Sequence, residues 1–122
     1  DRLPQGLTYG LFQECAGCSA RLWPVTVNLA IFISTRPGLG SRQVDAFERL
    51  APLVRAESGC IQYEMHRSED DDDQFILFEQ WESQTDLDAH DLAPHMTAQD
   101  AANAEFRAGP VTVLRYAPQP IA

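Results

Sequence analysis

A chain of 122 residues, 44% of them apolar, can build one core but not two, and a lone domain of this size leaves much surface for association to cover. A formal net charge of −9 argues against a nucleic-acid partner, whose phosphates need clustered Lys and Arg, and against docking on an anionic membrane. No apolar run approaches the roughly 20 residues of a membrane span, Asp1 to Gly10 lack the order of a signal peptide, and the three cysteines, Cys15, Cys18 and Cys60, suggest reduced thiols, so a cytoplasmic location is expected.

Residues 1–24 have no sustained periodicity and read as an irregular N-terminal extension; residues 25–122 form the domain. The extension is expected to lie along a partner subunit as a clasp, with a lid over a cavity mouth as the rival. Its Cys15 and Cys18 have zinc-like spacing but no second pair of ligands. From Val25 to Ser34 apolar residues alternate, which predicts a strand with one apolar and one half-apolar face. Arg36 to Gly40 breaks the chain, and Ser41 is positioned to cap a helix with the buried stripe Val44, Phe47, Leu50, Ala51 and Val54. Pro52 should kink that helix and Gly59 should end it. Strands over Cys60–Arg67 and Gln74–Glu82 follow, joined by a solvated, aspartate-rich hairpin without the spacing of a calcium loop. Ser83 and Asp86 resemble a capping box for a short helix to about His90. Pro94 opens another helix to about Arg107, and Val111–Tyr116 is the last strand.

The order β-α-β-β-α-β is the ferredoxin-like α+β arrangement. Its helices cover one face of the sheet, yet Ile76 and Phe78 make the other face apolar too. The simplest cover is a second copy of the chain, which predicts a homodimer.

The segments Glu57-Ser58-Gly59-Cys60-Ile61-Gln62-Tyr63-Glu64 and Phe78-Glu79-Gln80-Trp81-Glu82-Ser83, then Leu87-Asp88-Ala89-His90 and Pro94-His95-Met96, resemble the antibiotic biosynthesis monooxygenase domain. With Pro37-Gly38 the resemblance covers about residues 25–117. It implies a dimeric α+β barrel and, among other activities, cofactor-independent oxygenation of quinols and polyketide phenols, isomerisation of a phosphorylated signal, or haem degradation. The haem branch is disfavoured, because His90 stands where its Trp would be, and Gln99 and Asp100 where its iron-ligating His would be.

His90 and His95 are candidate proton-transfer groups, since neutral imidazole accepts a proton near pH 7. Their spacing of five does not share a helical face, so it selects no metal site. Tyr63 carries a hydroxyl that needs a partner when buried. Glu79 falls on the apolar face of its strand and needs pairing, with Arg67 the candidate. The expected function is a monooxygenase of a small aromatic substrate, using O2 without cofactor or metal. His90 is the base, His95 and Tyr63 are further catalytic candidates, and Asn28, Arg67, Glu79 and Trp81 are candidates for substrate binding. The alternatives are an isomerase of a small polar metabolite, with His90 and His95 moving protons, and a non-catalytic ligand-binding dimer.

Overall fold

The computed structural model describes residues 25–122, so the extension and its Cys15 and Cys18 lie outside the described residues. The elements run β1 (Val27–Ser34), α1 (Gly40–Arg55), β2 (Cys60–Arg67), β3 (Gln74–Trp81), α2 (Gln84–Asp91), α3 (Pro94–Asn103) and β4 (Thr112–Tyr116). The four strands form one antiparallel sheet in the order β2-β3-β1-β4. This is the ferredoxin-like α+β fold that the sequence predicts.

Strand alternation sorts the side chains into two layers. In β1, Leu29, Ile31 and Ile33 face the same way as their register partners Glu79, Leu77 and Phe75 in β3. Tyr63 and Met65 of β2 continue that layer, and the helices pack on it. The core there contains Val27, Ile33, Leu50, Val54, Leu77 and Trp81. The other layer holds Asn28, Ala30 and Phe32, with Ile76 and Phe78 in β3 and Leu114 and Tyr116 in β4. No element among the described residues covers it, and Phe32 and Leu114 stand 46% and 55% exposed.

Several local expectations need correction. Ser41 does not cap α1, which begins at Gly40 with no side-chain cap of its own. Asp73, from the hairpin read as merely solvated, takes that role from across the fold. Its carboxylate accepts from the Gly38 and Gly40 amides at 2.9 Å each and from the Thr35 hydroxyl at 3.1 Å. Those backbone bonds hold the Asp73 carboxyl below the usual carboxylate range. The helix continues through Pro52 and ends at Arg55, four residues before Gly59. Gly59 instead shapes the turn into β2. It adopts φ +82°, and a Cβ there would lie 2.2 Å from the Asp86 carboxyl group, so both backbone and space require glycine. Ser83 does cap α2, accepting from the Asp86 amide at 3.1 Å. Helix α3 stops at Asn103 rather than near Arg107. Phe106 then enters the core, while Arg107 bridges to Thr35 and donates to Gln43 at 3.0 Å.

Candidate active site

A cavity of about 220 Å³ lies between the helix-covered side of the sheet and the helices. Ile31, Ile33, Phe47, Leu50, Met65, Leu77 and Met96 give it apolar walls. Tyr63, Glu79 and His90 contribute one set of polar groups, and Gln43, Gln99, Asn103 and Arg107 another. The second set adjoins a shallower cleft that shares Asp100, Asn103, Arg107 and Val111 with the cavity. Glu79 adjoins a different one, shared through Ile31, Glu79 and Asp91. The lining is thus an apolar slot carrying two sets of polar groups, smaller than the roughly 300–1,000 Å³ typical of drug-sized ligands.

His90 sits in the last turn of α2 and is 2% exposed. Its ring lies against the Trp81 indole, with centroids 4.6 Å apart and planes inclined by 34°, and meets Tyr63 edge-on at 5.9 Å. Nδ1 is 3.0 and 3.1 Å from the two carboxylate oxygens of Glu57. A carboxylate only accepts, so in the neutral ring this contact puts the proton on Nδ1 and the lone pair on Nε2, the nitrogen that can act as a base. Nε2 is 3.9 Å from Glu79 Oε1. Glu57 stands in the turn before Gly59 and also receives His95, whose Nε2 is 2.5 Å from Oε2. The two histidines belong to different helices, broken at Leu92-Ala93, and the break lets both rings meet one carboxylate.

Glu79 is 5% exposed and accepts the Trp81 indole N–H at 2.9 Å. Burial raises its pKa, an effect that the Trp81 bond and His90 partly offset. Burial, reinforced by the Glu79 charge, also pushes the Tyr63 hydroxyl well up, so Tyr63 remains a neutral phenol and serves as a donor rather than a base. Its ring stacks on Phe47 at 5.3 Å, and Arg55 fixes its backbone through two bonds to the Tyr63 carbonyl. Burial lowers the pKa of Arg107, with Asp100 and Tyr63 opposing the shift. Cys60 is held as a thiol, first by burial and then by Glu57 and Glu79.

The structure brings His90, Tyr63 and Glu79 onto the cavity and leaves the other sequence candidates elsewhere. His95 is not among the lining residues and reaches His90 only through Glu57. Trp81 is fully buried, and the ring it stacks on is that of His90. Asn28 lies on the opposite layer of the sheet and donates to Thr26 at 3.2 Å. Arg67 does not pair with Glu79; it donates to the Asp72 carbonyl at 2.9 Å and lies over the Phe75 ring. Sequence reasoning missed Glu57, Gln43 and Arg107 as site residues. Gln43 alone carried a signal, as a polar residue four positions before Phe47 on the buried face of α1. Among the described residues, no group of three or more His, Cys, Asp or Glu is arranged to hold a metal ion, and no helix is long and apolar enough to cross a membrane.

A ferredoxin-like sheet carrying a small, mostly apolar cavity with one buried histidine defines a class of small α+β proteins with a candidate ligand site. The family model described as antibiotic biosynthesis monooxygenase matches residues 26–101, and the chain belongs to that family. It is 36% identical over 80 residues to the Escherichia coli protein named "Probable quinol monooxygenase YgiN", covering 57% of this chain and 77% of that one. It is 32% identical over 83 residues to Rv0793 of Mycobacterium tuberculosis, covering 68% of this chain and 81% of the relative. The solved structure of Rv0793 superposes with a TM-score of 0.71 at 30% identity, over 80% of this chain and 98% of that one. PA3566 of Pseudomonas aeruginosa shares the fold, with a TM-score of 0.72 at 24% identity, over 78% of this chain and 95% of that one.

Proposed function

We propose that this protein is a monooxygenase of a small quinol or related phenol, using O2 without a bound cofactor and working as a homodimer. The observation that carries the reading is a buried histidine on an apolar cavity, its Nδ1 proton committed to Glu57 and its Nε2 available as a base. Nε2 takes a phenolic proton, and the resulting anion is rich enough in electrons to pass one to O2. The two radicals combine, forming a carbon–oxygen bond; one oxygen atom stays in the product and the other leaves as water. Apolar walls limit the escape of the reactive species. Tyr63, held neutral, can donate to a substrate oxygen. Apolar walls with a few polar groups among them suit a small flat ring that carries oxygens, as a quinol does.

The family membership and the named relative support the same reading. The exposed apolar layer of Phe32, Leu114 and Tyr116 supports association with a second copy. An isomerase of a polar metabolite draws less support, since His95 is off the cavity. Oxygen uptake with a panel of quinols is the test. Turnover with at least one member is expected from protein treated with chelator. No uptake above the rate of spontaneous oxidation across one- and two-ring quinols would overturn the reading.

A further inference from the structure

The base assigned above is enclosed, which raises the question of how its proton reaches water. Trp81 covers one side of the His90 ring, Tyr63 meets it edge-on, and the ring is 2% exposed. On the side away from Nε2, the side chains open outward in steps. His90 is 2% exposed, Glu57 15% and His95 25%. The contacts along that line are 3.0 Å from His90 to Glu57 and 2.5 Å from Glu57 to His95, both short enough for a proton to pass directly.

We propose that Glu57 and His95 form a proton route from His90 to solvent, so that the buried base can pass on its proton while a bound substrate occupies the cavity side of its ring. The inference rests on the reading of His90 as the base. The substrate hydroxyl loses its proton to Nε2 of His90, and the Nδ1 proton passes to Glu57. Glu57 keeps that proton, and His95, which enters the step as an imidazolium donating to Glu57 through Nε2, releases its own Nδ1 proton to water. One proton enters, one leaves, and no electrons move. In charge terms, the negative charge carried by Glu57 is exchanged for one on the bound substrate. The enclosed site therefore gains no net charge while the anion forms, which keeps the desolvation cost low. A purely structural account would have Glu57 only fastening α2 and α3 to the turn before β2. It explains the contacts but assigns nothing to the partly exposed ring of His95.

Anaerobic stopped-flow mixing with a quinol and a pH indicator separates the two. Quinolate absorbance reports deprotonation in the cavity, and the indicator reports protons reaching water. In the native protein the two signals should rise together. In His95→Ala the quinolate should still form, with release slowed by on the order of a hundredfold, the lower end for loss of a proton-transfer group. Added imidazole should restore release by occupying the space the partly exposed ring vacates. His95→Ser, which keeps a polar side chain at this position and still leaves room for imidazole, replaces the alanine variant if that one fails to fold. Unchanged release in the folded variant, or slow release that imidazole does not restore, overturns the route. Absence of quinolate in the native protein overturns the function reading itself, and the route with it.

Discussion

The two faces of the one sheet are built from similar apolar residues and meet different fates. Under the helices, Leu29, Ile31, Ile33 and Leu77 surround three ionisable or hydroxyl groups, Tyr63, Glu79 and His90, each nearly inaccessible. On the other side, Phe32, Leu114 and Tyr116 stand open, with Asn28 the buried polar residue. Burial of polar groups is costly unless they have partners, and here the Trp81 N–H donates to Glu79 while Glu57 pairs with His90. The covered face thus bears the features of a reaction site and the open face those of an association surface.

Substitutions on the two faces should therefore separate activity from assembly. The largest effect is expected from His90→Ala, which should lower quinol turnover by about 10²- to 10⁴-fold while leaving circular dichroism and association unchanged. Retained turnover would remove His90 from the mechanism. Phe32→Asp, on the open face, should do the reverse. Losing a buried Phe costs about 1.5–3 kcal/mol, so association should weaken by about ten- to a hundredfold in sedimentation, with each chain still folded. A native protein that is monomeric at micromolar concentration would contradict the dimer outright.

A smaller effect sharpens the contrast within the covered face. Burial raises the Glu79 pKa above its unfolded value, so the stability it contributes is fully present below the ordinary carboxylate range and is lost as pH rises through the native value. Glu79→Gln removes that dependence. Its melting temperature should gain on the native protein as pH rises from about 4 to 8. Parallel melting curves across that window would mean that Glu79 is not strained by its burial.

Much of the fold was legible because period-two alternation in residues 25–34 and 74–81, Ser83, and Pro94 act locally. The site was legible only in part. Tyr63 and Glu79 were found because a polar group on an apolar strand is conspicuous, and His90 because imidazole can take a proton near pH 7 and the family resemblance puts its position at the cavity. Glu57 was not, since a carboxylate in a turn after a helix resembles solvated surface, and only the packing of that turn against α2 and α3 gives it two imidazoles. The spacing of His90 and His95 pointed away from cooperation on a continuous helix, and the break between α2 and α3 reversed that. The Arg67–Glu79 pair failed because Arg67 lies four residues along its strand from Tyr63, which stands opposite Glu79, and close to the Asp72 carbonyl. Asp73 capping α1 depended on a contact across more than 30 residues, which no local pattern encodes.

The central claim is that the enclosed cavity inserts oxygen from O2 into a quinol. Turnover under ¹⁸O2, with mass analysis of the product, tests it most directly. One labelled oxygen atom in each quinone product is predicted, with the other recovered in water. A product carrying no label, formed at the enzymatic rate, would contradict the account.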